Sequence, residues 1–306
     1  MLMKLATDKR DISLIGVPLQ LGADRAGVDL GPQAIRTSNL RERLEVLGHR
    51  VHDKGDIHVN RFLDPCAPGE KLKYLAEIAR VNADLAECVS AEMGQGNFPL
   101  VIGGDHSVAI GTIKGVLHHV NKLGVVWFDA HPDVNTEETT GSGNIHGMSL
   151  AVLLGYGHKS LISIGGEHAR VHPRNVVIIG ARSIDPGERV FLREQGIRVF
   201  TMHEIDKYGM RAVMDEAMER VTDGTDGVHL SLDLDGMDPQ EAPGVGTPVS
   251  GGITYRESHY AMETLYESGS LVSAEIVEVN PMLDVGNKTA RAAVELAGSV
   301  FGERIL

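Results

Sequence analysis

Short apolar runs alternate with longer stretches of helical periodicity along the whole chain. Residues 12–17, 99–102, 125–129, 176–179, 198–201, 228–234 and 271–279 read as strands. Between them, residues 71–93, 106–120, 148–154, 186–195, 210–221 and 254–267 read as helices. Several strands are apolar at successive positions, the pattern of a sheet covered by helices on both faces. Alternation of this kind predicts a mostly parallel sheet with right-handed crossovers. The expected fold is α/β, a three-layer αβα arrangement, and the expected organisation is a single domain over residues 1–306. No linker, repeat or low-complexity tract interrupts it. Residues 141–143 and 244–252 read as local glycine loops.

Ionisable residues gather where the predicted strands end. Gly103-Gly104-Asp105-His106 follows one, Asp129-Ala130-His131-Pro132-Asp133 another, Asp233-Leu234-Asp235 a third, and Glu278 lies near the end of a fourth. In open α/β sheets that edge is where ligands bind. Asp129, His131 and Asp133 occupy alternate positions, and alternate residues of an extended segment share one face. Asp233 and Asp235 repeat the spacing among Leu230, Leu232 and Leu234. Each group has a plainer reading when taken alone. Asp129 to Asp133 fit a turn that caps a helix, Asp233 and Asp235 a solvated edge strand, and Asp105 an N-cap.

Jointly, His106, Asp129, His131, Asp133, Asp233 and Asp235 supply two imidazoles and four carboxylates. Burying such a set is expensive without a compensating cation, and two divalent ions would neutralise it. A pair of ions ~3.5–4 Å apart shares a water and lowers its pKa. Oxygen-rich ligation with imidazole and no thiolate suits Mn²⁺, with Fe²⁺ or Co²⁺ also compatible. Zinc more often takes cysteine or a His-dominated tetrahedral site.

Composition narrows the setting. Hydrophobic content of 42% supports a substantial core, and no apolar run approaches the ~20 residues of a membrane span. Net charge is −13 without any basic cluster, which argues against nucleic acid as a partner. Met1 to Leu5 do not begin a secretory signal, and the two cysteines, Cys66 and Cys88, do not form a disulfide framework. A reduced, cytoplasmic location is expected. The glycines between Gly22 and Gly31 lack both a P-loop lysine and dinucleotide-fingerprint spacing.

The motifs resemble those of bacterial members of the arginase (ureohydrolase) family over essentially the whole chain. They are Gly103-Gly104-Asp105-His106-Ser107, Asp129-Ala130-His131-Pro132-Asp133, Ser142-Gly143-Asn144-Ile145-His146-Gly147, Ser231 to Pro239 and Glu278-Val279-Asn280-Pro281. Val134-Asn135-Thr136 together with the third motif looks specifically arginase-like. The resemblance implies two Mn²⁺ per subunit, one held by His106, Asp129, Asp133 and Asp233, the other by Asp129, His131, Asp233 and Asp235. It implies hydrolysis of L-arginine to L-ornithine and urea through a hydroxide shared by the two ions. Asp133 is then expected to relay a proton to the departing amine, His146 to shuttle protons to solvent, and Glu278 to face the guanidinium. The same resemblance assigns Asn135 and Ser142 to the α-carboxylate, Asp185 and Glu188 to the α-amino group, and Thr247 to the pocket wall. Without it, Asn135, Ser142, Asp185 and Thr247 are ordinary turn residues and Glu275 an ordinary acid. Two positions depart from commoner patterns in the family: Pro132 stands where Thr or Gly is usual, and Ser183 where animal members are acidic. Arg256-Glu257 resembles an intersubunit ion-pair segment, so a homo-oligomer, trimer or hexamer, is expected. The alternatives are another ureohydrolase, acting on agmatine or guanidinobutyrate, and a catalytically silent metal-binding scaffold.

Overall fold

The computed structural model describes residues 9–60, 71–166 and 169–305. Met1 to Leu5 and Cys66 lie outside the described residues. Eight strands form one sheet: β1 (Asp11–Val17), β2 (Arg50–Asp56), β3 (Phe98–Gly103), β4 (Leu123–Phe128), β5 (Val176–Ala181), β6 (Arg198–Thr201), β7 (Gly227–Asp233) and β8 (Leu271–Val277). Their order is β2-β1-β3-β8-β7-β4-β5-β6, and every pairing between them is parallel. Strands 3, 8, 7 and 4 therefore lie side by side at the centre, although β3 and β8 are far apart along the chain.

Two apolar layers cover the sheet. Along β4, Val126 and Phe128 join one layer while Val125 and Trp127 join the other. That division is why a buried central strand is apolar at every position. The first layer is closed by the helices Met202–Thr222, Tyr255–Ser268 and Lys288–Val300, the second by Leu75–Gly94 and Ala109–Val116.

Several predicted boundaries move. The fourth predicted helix, 186–195, appears with the same bounds, as Pro186–Gln195. The region predicted as helix 106–120 begins with a 3-10 turn, His106–Val108, before Ala109–Val116. The predicted strands 125–129, 228–234 and 271–279 stop at Phe128, Asp233 and Val277. Asp129, Asp235 and Glu278 consequently sit just past strand ends, in backbone free to turn toward one point. Strand β2 and the helices Gly31–Thr37, Leu40–Val46 and Lys288–Val300 were not anticipated. No helix among the described residues is long and apolar enough to cross a membrane.

Candidate metal centre and adjoining cavity

The ends of β3, β4 and β7 bring the predicted ligands together, with Glu278 beyond β8 beside them. His106 Nδ1 lies 3.0 Å from Asp129 Oδ2, 3.1 Å from Asp133 Oδ2 and 3.2 Å from Asp233 Oδ2. His131 Nδ1 lies 3.1 Å from Asp235 Oδ2 and 3.5 Å from Asp129 Oδ1. Two groups with ligand atoms in metal-binding proximity result among the described residues: His106, Asp129 and Asp233, and Asp129, His131 and Asp235. Asp129 belongs to both. Asp233 groups with the first pocket only, and Asp133 faces His106 beside it.

Local hydrogen bonds hold each carboxylate. Asp129 Oδ2 accepts from Trp127 Nε1 at 2.9 Å, and its Oδ1 accepts from the His131 backbone N–H at 2.7 Å. Asp233 Oδ1 accepts from the Asp235 N–H at 2.7 Å. Asp235 accepts from the Ala130 N–H and from Thr247 Oγ1, at 3.2 and 2.8 Å. Asp105 is the N-cap of the turn carrying His106, with its side chain accepting from the Ser107 N–H. Its plainer reading was the right one, while His106 next to it still enters the cluster.

The chemistry of this donor set fits a cation. His106 Nε2 is 2.8 Å from Ser231 Oγ, and that hydroxyl donates to Glu275 Oε1 at 2.7 Å. The serine proton is committed to the carboxylate, so the imidazole proton sits on Nε2. Nδ1 is then the nitrogen left for a cation, proton or metal: it is buried and faces three carboxylate oxygens. Burial opposes charging His106, yet Asp129, Asp133 and Asp233 overcome it and push the imidazole well above its usual value. Burial likewise opposes a charged His131, and Asp235 with Asp129 raises it to about 12. Burial and the Asp129 charge raise Asp235 to about 6. A field that favours protons at this point favours a metal cation there as well.

Above the cluster lies a cavity of about 240 Å³. His131, Asp133, Asp233 and Asp235 contribute to its floor; Asn135, Ser142, His146, Asp185, Glu188 and Thr247 line it, together with Ser183. It is smaller than the ~300–1,000 Å³ of drug-sized pockets, and its scale suits a small metabolite. Asn135 Nδ2 donates to Asp185 Oδ2 at 3.0 Å. Glu188 is largely occupied: its two oxygens accept from the Val134 and Asp185 backbone N–H groups. Burial, with Asp133 nearby, raises its carboxyl to about 7. Glu278 lies deeper, 1% exposed, with Oε1 accepting from the His106 N–H and 3.2 Å from His146 Nδ1. Its Oε2 is buried without a partner. Burial opposes charge on His146 also, but the Glu278 hydrogen bond and charge raise it to about 9.

Four supporting residues were not assigned to the site from the sequence, Glu275 among them having been read as an ordinary acid. Trp127 stacks on His106 with ring centroids 4.1 Å apart and also donates to Asp129. Ser231 and Glu275 stand behind His106. Arg182 donates to the carbonyls of Asp235, Gly236 and Met237 beyond β7 and to Val249 in the loop that carries Thr247. Only the period-two polar residues of β7 left a readable trace of this support.

A sequence model described as "Arginase family" matches residues 10–302. The chain is 56% identical to the arginase of Brevibacillus brevis over 300 residues, covering 97% of this chain and 99% of that one. It is 54% identical to the arginase of Bacillus caldovelox over 298 residues, covering 97% and 100%. The native crystal structure of the Bacillus caldovelox arginase superposes with a TM-score of 0.95, again covering 97% of this chain and 100% of that one.

Proposed function

The chain belongs to the arginase family of hydrolases, and from that premise we propose that it cleaves L-arginine to L-ornithine and urea with two Mn²⁺ per subunit. One observation carries the reading: Asp129 is shared by two His/Asp groups beneath a cavity lined by Asn135, Ser142 and Asp185. His106, Asp129, Asp133 and Asp233 would hold one ion; Asp129, His131, Asp233 and Asp235 the other. When bound, such a pair acidifies a shared water, so that a nucleophile is present near neutral pH.

The remaining work falls to side chains of the pocket. Asn135 and Ser142 receive the α-carboxylate, and Asp185, with Glu188 through a water, the α-amino group. Neutral and acidic partners suit a zwitterion. Thr247 closes one wall while donating to Asp235. Glu278 orients the guanidinium by a charge-assisted contact, for which its unpartnered Oε2 is available. Fixing the guanidinium carbon in place contributes through proximity. Asp133 carries the proton that the departing amine requires. His146, between Glu278 and the cavity, exchanges that proton with solvent.

Agmatine and guanidinobutyrate are the competing substrates. Agmatine has no α-carboxylate for Asn135 and Ser142, and guanidinobutyrate has no α-amino group for Asp185. Urea release from arginine, agmatine and guanidinobutyrate should be measured on one preparation, before and after chelation and after Mn²⁺ is restored. Preference for arginine with metal-dependent turnover is the expected result. Faster turnover of agmatine would defeat the substrate assignment, and turnover untouched by chelation would defeat the metal centre. We further propose a single domain over residues 1–306, a cytoplasmic location and a homo-oligomer, trimer or hexamer, with neither nucleic acid nor membrane as partner.

A further inference from the structure

A buried polar chain runs beneath the metal centre, inside the sheet. Along β7, His229, Ser231 and Asp233 alternate with Leu230 and Leu232, so the polar three share one face. The leucines enter the apolar layer on the other face. On β8, Ser273 and Glu275 are the register partners of His229 and Ser231. All four of these polar residues are fully buried. His229 Nδ1 lies 2.8 Å from Ser273 Oγ, and His229 Nε2 lies 3.5 Å from Glu275 Oε1. Glu275 Oε1 accepts from Ser231 Oγ, and Ser231 meets His106 Nε2.

A carboxylate sealed in a protein interior is costly unless charge-compensated. Compensation here is thin: Glu275 Oε2 has no hydrogen-bond partner within reach, and His229 Nε2 approaches Glu275 Oε1 only to 3.5 Å. Filling the same volume with apolar residues would avoid that cost, so the chain calls for a reason beyond packing.

We infer that Glu275, acting through Ser231, is a positioning residue for the metal centre: it keeps the His106 proton on Nε2 and so turns Nδ1, as a lone pair, toward Asp129, Asp133 and Asp233. The inference rests on the metal reading above and deepens it. An orienting carboxylate behind a ligating imidazole fixes both its tautomer and its ring plane and raises its basicity. Here a serine hydroxyl is interposed, because the cross-strand register puts Glu275 opposite Ser231. The effect is directed at one pocket. His131 takes its hold from Asp129 and Asp235, and among the described residues no hydrogen bond or ion pair joins it to the buried polar chain.

The test is a Mn²⁺ titration of the whole protein, followed by calorimetry and by the electron paramagnetic resonance of bound manganese. The native chain, Glu275→Gln and Ser231→Ala are compared, each first checked for folding by circular dichroism. The native chain should take up two ions. In both variants one site should weaken by about 10- to 100-fold, the range for losing such a partner, while the other keeps its affinity and the signal of coupled ions gives way to that of a single one. Wild-type affinity at both sites in both variants would overturn the inference. So would equal weakening of the two sites, which is what general loosening of the sheet produces. If Glu275→Gln does not fold, Ser231→Ala decides alone. A native chain that binds no Mn²⁺ would instead bring down the metal reading itself.

Discussion

Asp133 and Glu278 are held with positive φ, 50° and 65°, in a region that side chains other than glycine rarely enter. Such a backbone costs on the order of 1–3 kcal/mol and persists where its neighbours over-determine it. For Asp133 the constraint is a carbonyl that accepts from the Leu150 and Ala151 N–H groups. For Glu278 it is an N–H donated to the Gly104 carbonyl, while its side chain accepts from His106. The turns aim both carboxylates at the cluster rather than along their strands. Asp133→Asn, which keeps the shape and removes the proton-carrying carboxyl, should lose most urea release while retaining part of the bound manganese; full activity would refute its role. His146→Asn should lower kcat by about 10²-fold, the lower end for a lost acid–base group. Added imidazole should restore part of it, and a pH–rate profile identical to that of the native chain would count against the shuttle.

The elements that carry the site were readable because they are short, apolar and buried. Two of the shortfalls have a plain cause. Strand β2 is an edge strand with only Val51 buried, so neither alternation nor a hydrophobic run marks it. The helix Met202–Thr222 was recognised only from Met210 onward because Gly209, with φ of 78°, breaks its period midway. At the end of β3, tight packing supports a sharper prediction. A Cβ on Gly104 would overlap the Leu19 carbonyl oxygen, which is backbone and cannot swing aside. Gly104→Ala should therefore cost about 3 kcal/mol, the upper end for overpacking, read as a shift in the urea midpoint. The start of the helix Leu75–Gly94 carries a pH-dependent tie. The Arg80 hydrogen bond, joined by donors from Asn60, lowers Glu77 from 4.5 to about 2. A carboxyl lowered on folding stabilises the native state above its unfolded pKa and loses that contribution as pH falls through the folded one. Glu77→Gln should thus melt below the native chain at pH 7, and the gap should close as pH falls from 4.5 toward 2. A gap independent of pH would show that the carboxylate charge is not what matters.

Across the molecule, metal and fold should be linked. Ions that bind the folded chain and not the unfolded one stabilise it by about 2.7 kcal/mol at a hundredfold excess over Kd. Chelation should lower Tm by several degrees, reversed by Mn²⁺; an unchanged Tm would mean the cluster tolerates its own charge. The spacing of Asp129, His131 and Asp133 marked them as candidate ligands because alternate residues of an extended chain share a face whatever the rest of the protein does. The fold class was legible for a similar reason: strand and helix periods are local. The sequence also held an overlooked signal in His229 and Ser231, which extend the alternation of Asp233 and Asp235 with leucines back into a strand that proves to be entirely buried. Glu275 could not be recognised that way, since one acid in an apolar run is indistinguishable from a surface residue until its cross-strand partner is known. Local pattern thus determined the candidate residues for the chemistry and the edge of the sheet to which they belong. The tertiary structure alone decided that β8 and β7 insert between β3 and β4, because strand order depends on how helices pack over both faces and not on any one segment. That insertion sets His106 against Asp233 and puts Glu275 opposite Ser231.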